Sequence, residues 1–197
     1  PAPGAGRGRS CVPGGTTTAL CLLRALGYEA SVSSSFASNP LPEKEQVCRQ
    51  ALARIPAGAL SSPLDLVRSL GDPMMPVAAG IAKSYTGTLV LAGGTQMLAV
   101  SALIRALGQP LPRVVTTAYV RDDPTANVPA LARKIGVHIT YVDPGFKDIG
   151  HAGLARYCIG EVKEGTGAGG AMFLANLMGY SPDAIRQAIL STVKTYT

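Results

Sequence analysis

The chain has 197 residues, enough for one domain with a buried core. Hydrophobic residues make up 47% and charged residues only 15%, which excludes a disordered chain, and no run reaches the ~18 apolar residues of a membrane-spanning helix. The net charge of +6, with a sequence pI near 9.3, favours anionic ligands, but the basic residues are scattered, Trp is absent and aromatics are 5%, so nucleic acid is not the expected partner.

Residues 1–10, "PAPGAGRGRS", read as a linker-like N-terminus, and 11–197 as a single α/β domain. Pro1 is not a natural start, so the chain is expected to derive from a longer one. "TTTALCLLRALG" (16–27) predicts a helix and "EASVSSSF" (29–36) a short strand. "PEKEQVCRQALAR" (42–54) has the pattern of an amphipathic helix with Pro42 in its first turn. Two further helices, 62–71 and 72–85, open on Ser-Pro and Asp-Pro pairs. "GTLVLAGG" (87–94) is the best buried strand, and "TQMLAVSALIRALG" (95–108) is the helix after it. Strands at 113–120 and 138–143 flank the helix "TANVPALARKIG", and 167–197 is helical with a break at "GYSPD". This alternation predicts a Rossmann-like parallel sheet with helices on both faces.

Four cysteines at 11, 21, 48 and 158 form no CxxC and no metal spacing. Cys21 and Cys48 fall on predicted helices and are expected to be buried, which fits a reducing, cytoplasmic setting. His138 and His151 are far apart in sequence and support no metal site or triad.

The chain contains three glycine-threonine helix openings. "GGTTTALCLLRALG" (14–27) and "GGTQMLAVSALIRALG" (93–108) echo one another, and "EGTGAGGA" begins at Glu164. Chance among Ala/Leu-rich helices that end in Gly competes with a true repeat. A helix start presents unpaired N–H groups and about half a positive charge, and glycine admits close approach of a ligand. No P-loop is present, and "GTGAGG" (165–170) fits G-x-G-x-x-G only loosely, without the acidic residue of a dinucleotide site. Each opening alone is a turn; three together favour a phosphate or ribose-phosphate ligand. Glu164 by itself is most simply a helix-dipole partner, worth ~0.3–1 kcal/mol. The alternative is a general base raised by burial, which the neighbouring Lys163 would oppose. Lys44 is either a phosphate partner or a solvated helix lysine.

"SCVPGGTTTALCLLRALG", "GGTQMLAVSALIRALG" and "VKEGTGAGGAM" occur in the order found in the nicotinate-nucleotide:dimethylbenzimidazole phosphoribosyltransferases. The chain resembles the archaeal and cyanobacterial branch of that family from about residue 10 to 197. The resemblance implies a cytoplasmic homodimer that moves ribose phosphate from nicotinate mononucleotide to 5,6-dimethylbenzimidazole. The products are nicotinate and α-ribazole phosphate, the lower-ligand nucleotide of cobalamin; no metal or cofactor is implied. By the same resemblance Glu164 is the base and Lys44 the active-site lysine. Gly14, Gly15, Thr16, Thr17, Thr18, Gly93, Gly94, Thr95, Gly165, Thr166 and Gly167 are the substrate-binding positions.

Two departures stand out. Ser10 occupies the place where the family usually has Glu, and the family's amino-terminal portion is absent, so an inactive fragment or a non-catalytic phosphate-binding module is the alternative. An NAD-type dehydrogenase is disfavoured, because no ribose-binding acidic residue follows a proper fingerprint.

Overall fold

The computed structural model describes residues 14–36, 38–56, 62–161 and 166–195. The linker-like stretch 1–10, Ser10, Cys11, Glu164 and Gly165 lie outside them.

The first half is helical: α1 (Gly15–Ala25), α2 (Leu41–Ala53), α3 (Pro63–Leu70) and α4 (Met74–Ser84). Helix α1 has five consecutive buried residues, Ala19 to Leu23. Strand β1 (Val90–Ala92) leads into α5 (Thr95–Ala106), which is buried without a break from Leu98 to Ile104. A helix apolar all round belongs inside a core rather than on its surface. These two helices are the echoing segments of the sequence, and they pack against each other. Each fully buried Leu or Ile here contributes about 1.5–3 kcal/mol.

The second half completes the sheet. Strand β2 (Arg113–Thr117) passes through the short α6 (Ala118–Arg121) and α7 (Val128–Ile135) to β3 (Ile139–Val142). Helix α7 buries Val128, Leu131, Ala132 and Ile135, the one-face spacing of an amphipathic helix, and Gly136 ends it at φ 76°. The sheet is parallel throughout in the order β1-β2-β3, with Val90 opposite Arg113 and Val114 opposite Ile139. Side chains alternate across it. Leu91, Val114, Ile139 and Tyr141 join the core formed by α1, α5 and α7. Val90, Val115 and Val142 face a second cluster containing Met172 and Ile185. That cluster belongs to the C-terminal block: a π-helical turn Thr166–Ala171, α9 (Met172–Leu177 once α8, Ala152–Ala155, is counted) and α10 (Pro182–Lys194). The molecule is therefore α/β, with helices on both faces of a parallel sheet.

Two expectations are corrected, and two short elements are added. Segment 29–36 is extended but pairs as no strand. Its alternation is real, since Ala30 and Val32 are buried. Its polar groups, however, bond to a loop: Ser31 N–H donates to Asn127 Oδ1 at 2.9 Å, and Asn127 Nδ2 donates to the Glu29 carbonyl at 2.8 Å. The strand expected over 113–120 stops at Thr117, whose hydroxyl accepts from Val120 N–H and opens α6. Finally, α8 and a 3-10 turn (Arg156–Ile159) are additional; His151 Nδ1 caps α8 by accepting from Leu154 N–H at 3.2 Å. Cys21 and Cys48 are buried, as their helical positions predict. Among the described residues, no helix is long and apolar enough to cross a membrane.

Candidate functional site

Ligands in open α/β sheets lie beyond the carboxyl ends of the strands, and at that end of this sheet lie Gly93 and the π-helical turn Thr166–Ala171. Directly after β1, Gly93 adopts φ 153° and donates its N–H to the Val115 carbonyl at 3.0 Å. Gly94 then caps α5 without a side chain, leaving the first amides of that helix to other acceptors. Gly94 itself lies against Val120, which is 3.4 Å from where a Cβ would be.

The π-helical turn closes the opposite side. A Cβ on Gly169 would stand 2.9 Å from the carbonyl carbon of Thr116, and one on Gly170 would collide with Ala92 Cβ. The glycines "TGAGG" thus lie directly on the ends of β2 and β1. Two of the three glycine-threonine openings, Gly93-Gly94-Thr95 and the one that includes Thr166 and Gly167, are brought to the same sheet end. Thr95 is buried there.

The first opening has other commitments. Gly14 caps α1 at φ 74° with no side-chain hydrogen bond. Thr17 and Thr18 N–H both donate back to the Gly14 carbonyl, at 2.8 and 3.2 Å. The Thr18 hydroxyl donates to Asp72 Oδ2 at 2.7 Å and to the Gly15 carbonyl at 3.0 Å. Asp72, buried, also accepts from Met74 N–H at 3.0 Å and so starts α4. Gly15 is buried, whereas Thr16 and Thr17 are half-buried.

Lys44 is not a solvated helix lysine: it is 6% exposed. Its ammonium donates to the Ser33 carbonyl at 3.2 Å and to Asn39 Oδ1 at 2.8 Å. The Ser33 hydroxyl donates to Asp123 Oδ2 at 2.5 Å, and Asp123 Oδ1 accepts from Thr125 N–H and Oγ1 at 3.0 and 2.7 Å. Asn39 Nδ2 donates to Thr125 Oγ1 and to the Val32 carbonyl, each at 2.8 Å. Asp123 lies just past α6, so this buried network binds 31–39 and Lys44 to the loop that leaves the carboxyl end of β2. A carboxylate and an ammonium buried so deeply require such partners.

Sequence reasoning overlooked Ser33, Asn39, Asp72 and Asp123. The signal was there for three of them: "SSSF" carries Ser33, and Asp-Pro pairs at 72–73 and 123–124 carry the two carboxylates. Nearby, burial raises the Tyr141 phenol while Arg121, 5.6 Å from the ring centre, works against it. Among the described residues, no three His, Cys, Asp or Glu side chains gather as metal ligands would.

No family model matches the chain. It is 44% identical over 192 residues to a UPF0284 protein of Methanosarcina mazei, covering 93% of this chain and 55% of that protein. The UPF0284 protein of Thermococcus gammatolerans is 46% identical over 182 residues, 90% of this chain and 55% of the relative. That of Methanothermobacter thermautotrophicus is 44% identical over 187 residues, 90% and 52% respectively. The chain thus spans about half the length of the curated relatives it matches, and over that half it is similar to UPF0284 proteins of several archaea, whose name states no activity.

Proposed function

We propose that this chain carries the ribose-phosphate transfer site of a phosphoribosyltransferase. The reaction moves ribose phosphate from nicotinate mononucleotide to 5,6-dimethylbenzimidazole. The observation that supports it most is the seating of Gly169 and Gly170 on the ends of β2 and β1. It brings the glycines of the turn Thr166–Ala171 to the strand end from which α5 starts, the usual place for a phosphate-bearing ligand.

In this reading one azole nitrogen attacks the ribose C1′. The bond from C1′ to the pyridinium nitrogen breaks, and its electron pair neutralises the departing nicotinate ring. The proton on the other azole nitrogen passes to the Glu164 carboxylate. The α5 amides and the glycine-rich turn hold the phosphate. Lys44, engaged by Ser33 and Asn39, is a positioning residue that fixes the 31–39 segment. The enzyme is a cytoplasmic homodimer acting on small molecules, with no nucleic-acid or membrane partner.

A second reading, a phosphate-binding module without transfer, is favoured by one observation: the Thr18 hydroxyl and the Lys44 ammonium already have protein partners. Incubation with nicotinate mononucleotide and dimethylbenzimidazole separates the two. Chromatography detects α-ribazole phosphate under the first reading. Under the second, calorimetry detects mononucleotide binding with no product.

A further inference from the structure

The next-to-last residue of the central strand carries a hydroxyl without a partner. Thr116 is 1% exposed, and its Oγ1 is buried with no hydrogen bond. Buried hydroxyls are almost always paired, so this one needs an explanation. Its surroundings provide one.

Strand alternation puts Thr116 on the face of Val114, the side of the sheet on which α5 lies. In register, Thr116 is opposite Tyr141 on β3. On the β1 side, Ala92 pairs with Val115 and the Gly93 N–H donates to the Val115 carbonyl. One step further, the neighbour of Thr116 is therefore Gly93, which has no side chain. Thr116 thus stands beside Gly93, the residue before the α5 cap, and that cap offers no side-chain acceptor to the first amides of the helix. The register brings an unpaired buried hydroxyl next to the strand end that leads into an uncapped helix start, and an anionic oxygen bound between them would satisfy both.

We infer that Thr116 is a ligand residue, its hydroxyl donating to a phosphate oxygen of a phosphate monoester held at the start of α5. The inference rests on the reading above that this end of the sheet takes a phosphate-bearing substrate. It assigns the phosphate to the start of α5 rather than to the start of α1.

The test compares the full chain with Thr116→Val, which keeps the shape and removes the hydroxyl, and with Thr116→Ser, which restores it. Calorimetry uses inorganic phosphate, nicotinate mononucleotide and phosphate-free nicotinate riboside. Thermal unfolding without ligand is measured in parallel. Thr116→Val is expected to keep or raise the unfolding temperature, because a buried unpaired hydroxyl is removed. It is expected to weaken mononucleotide and phosphate about tenfold, the loss of one hydrogen bond to a charged group, and to leave the riboside unchanged. Thr116→Ser should bind within about threefold of the original chain.

Equal phosphate affinity in Thr116→Val, or an equal loss for mononucleotide and riboside, would overturn the inference. So would a marked fall in its unfolding temperature, since the hydroxyl would then have a structural partner. If the unaltered chain binds phosphate but not the mononucleotide, the transfer reading fails, and the Thr116 assignment is judged on phosphate alone. If it binds neither, the assignment fails.

Discussion

Gly169 lies against the backbone of Thr116 so closely that a Cβ on it would come within 2.9 Å of the Thr116 carbonyl carbon. This contact, with its neighbour at Gly170 and Ala92, holds the glycine-rich turn on the sheet end. Backbone cannot give way as a flexible side chain can, so Gly169→Ala must displace the turn or the strand. We expect a loss of about 1–3 kcal/mol, the usual range for overpacking, read as a fall in the urea midpoint. Gly80 in α4 is the control, because a Cβ there meets nothing within 4 Å. Gly80→Ala should stabilise by about 0.5–1 kcal/mol through helix propensity. A Gly169→Ala variant as stable as the parent would contradict this close packing of the turn on the sheet end.

The Lys44 network makes a second demand. Lys44→Met leaves the Ser33 carbonyl and Asn39 Oδ1 without their ammonium donor in a buried setting. The expected cost is about 2–4 kcal/mol, from lost charge-assisted hydrogen bonds and unpaired acceptors. Chemical denaturation of the purified variant measures it. A solvated surface lysine would give a change within about 0.5 kcal/mol.

Thr18 and Asp72 should be energetically coupled. In a double-mutant cycle of Thr18→Val and Asp72→Ala, the interaction energy should be about 1.5–3 kcal/mol, as for a hydrogen bond to a charged partner. Additive effects would mean that the Thr18 hydroxyl is available to a ligand instead.

The three strands and their parallel, helix-flanked arrangement were legible because β1, β2 and β3 are short apolar runs bounded by turn residues, with helices of clear period between them. The sequence shows the echo of 14–27 in 93–108, but that α1 packs against α5 is seen only in the structure. Segment 29–36 misled for a physical reason. Burial of Ala30 and Val32 produces a strand-like alternation, but its backbone groups meet the Asn127 side chain. Periodicity reports which face is buried, not which partner takes the hydrogen bonds. The same limit hid the Ser33–Asp123 and Thr18–Asp72 contacts, whose members lie 90 and 54 residues apart. The glycine-threonine pattern did mark the α5 start and the turn at 166–171. Thr116, an ordinary strand threonine in the sequence, became informative only once its hydroxyl was found unpaired.

Cysteine chemistry gives a pH-dependent prediction. Burial, and then Cys48 beside it, push the Cys21 thiol up from 9.0 to about 12. The raised value means that the folded state favours the neutral thiol. Its contribution is fully present below about pH 9 and is lost as pH rises towards 12, because the unfolded chain ionises first. Stability should therefore decline across that window, and less steeply in Cys21→Ala. Peptide mapping after alkylation at neutral pH should find Cys158, which is exposed, modified while Cys21 and Cys48 remain protected. Fast modification of Cys21 in the native protein would contradict its placement.

The transfer reaction is tested most directly by measuring α-ribazole phosphate made from nicotinate mononucleotide and 5,6-dimethylbenzimidazole by the unaltered chain and by Glu164→Gln. The account predicts product from the former, and from the latter a rate at least about 100-fold lower, as removal of a general base requires. No product from the unaltered chain, or equal rates from the two, would contradict it.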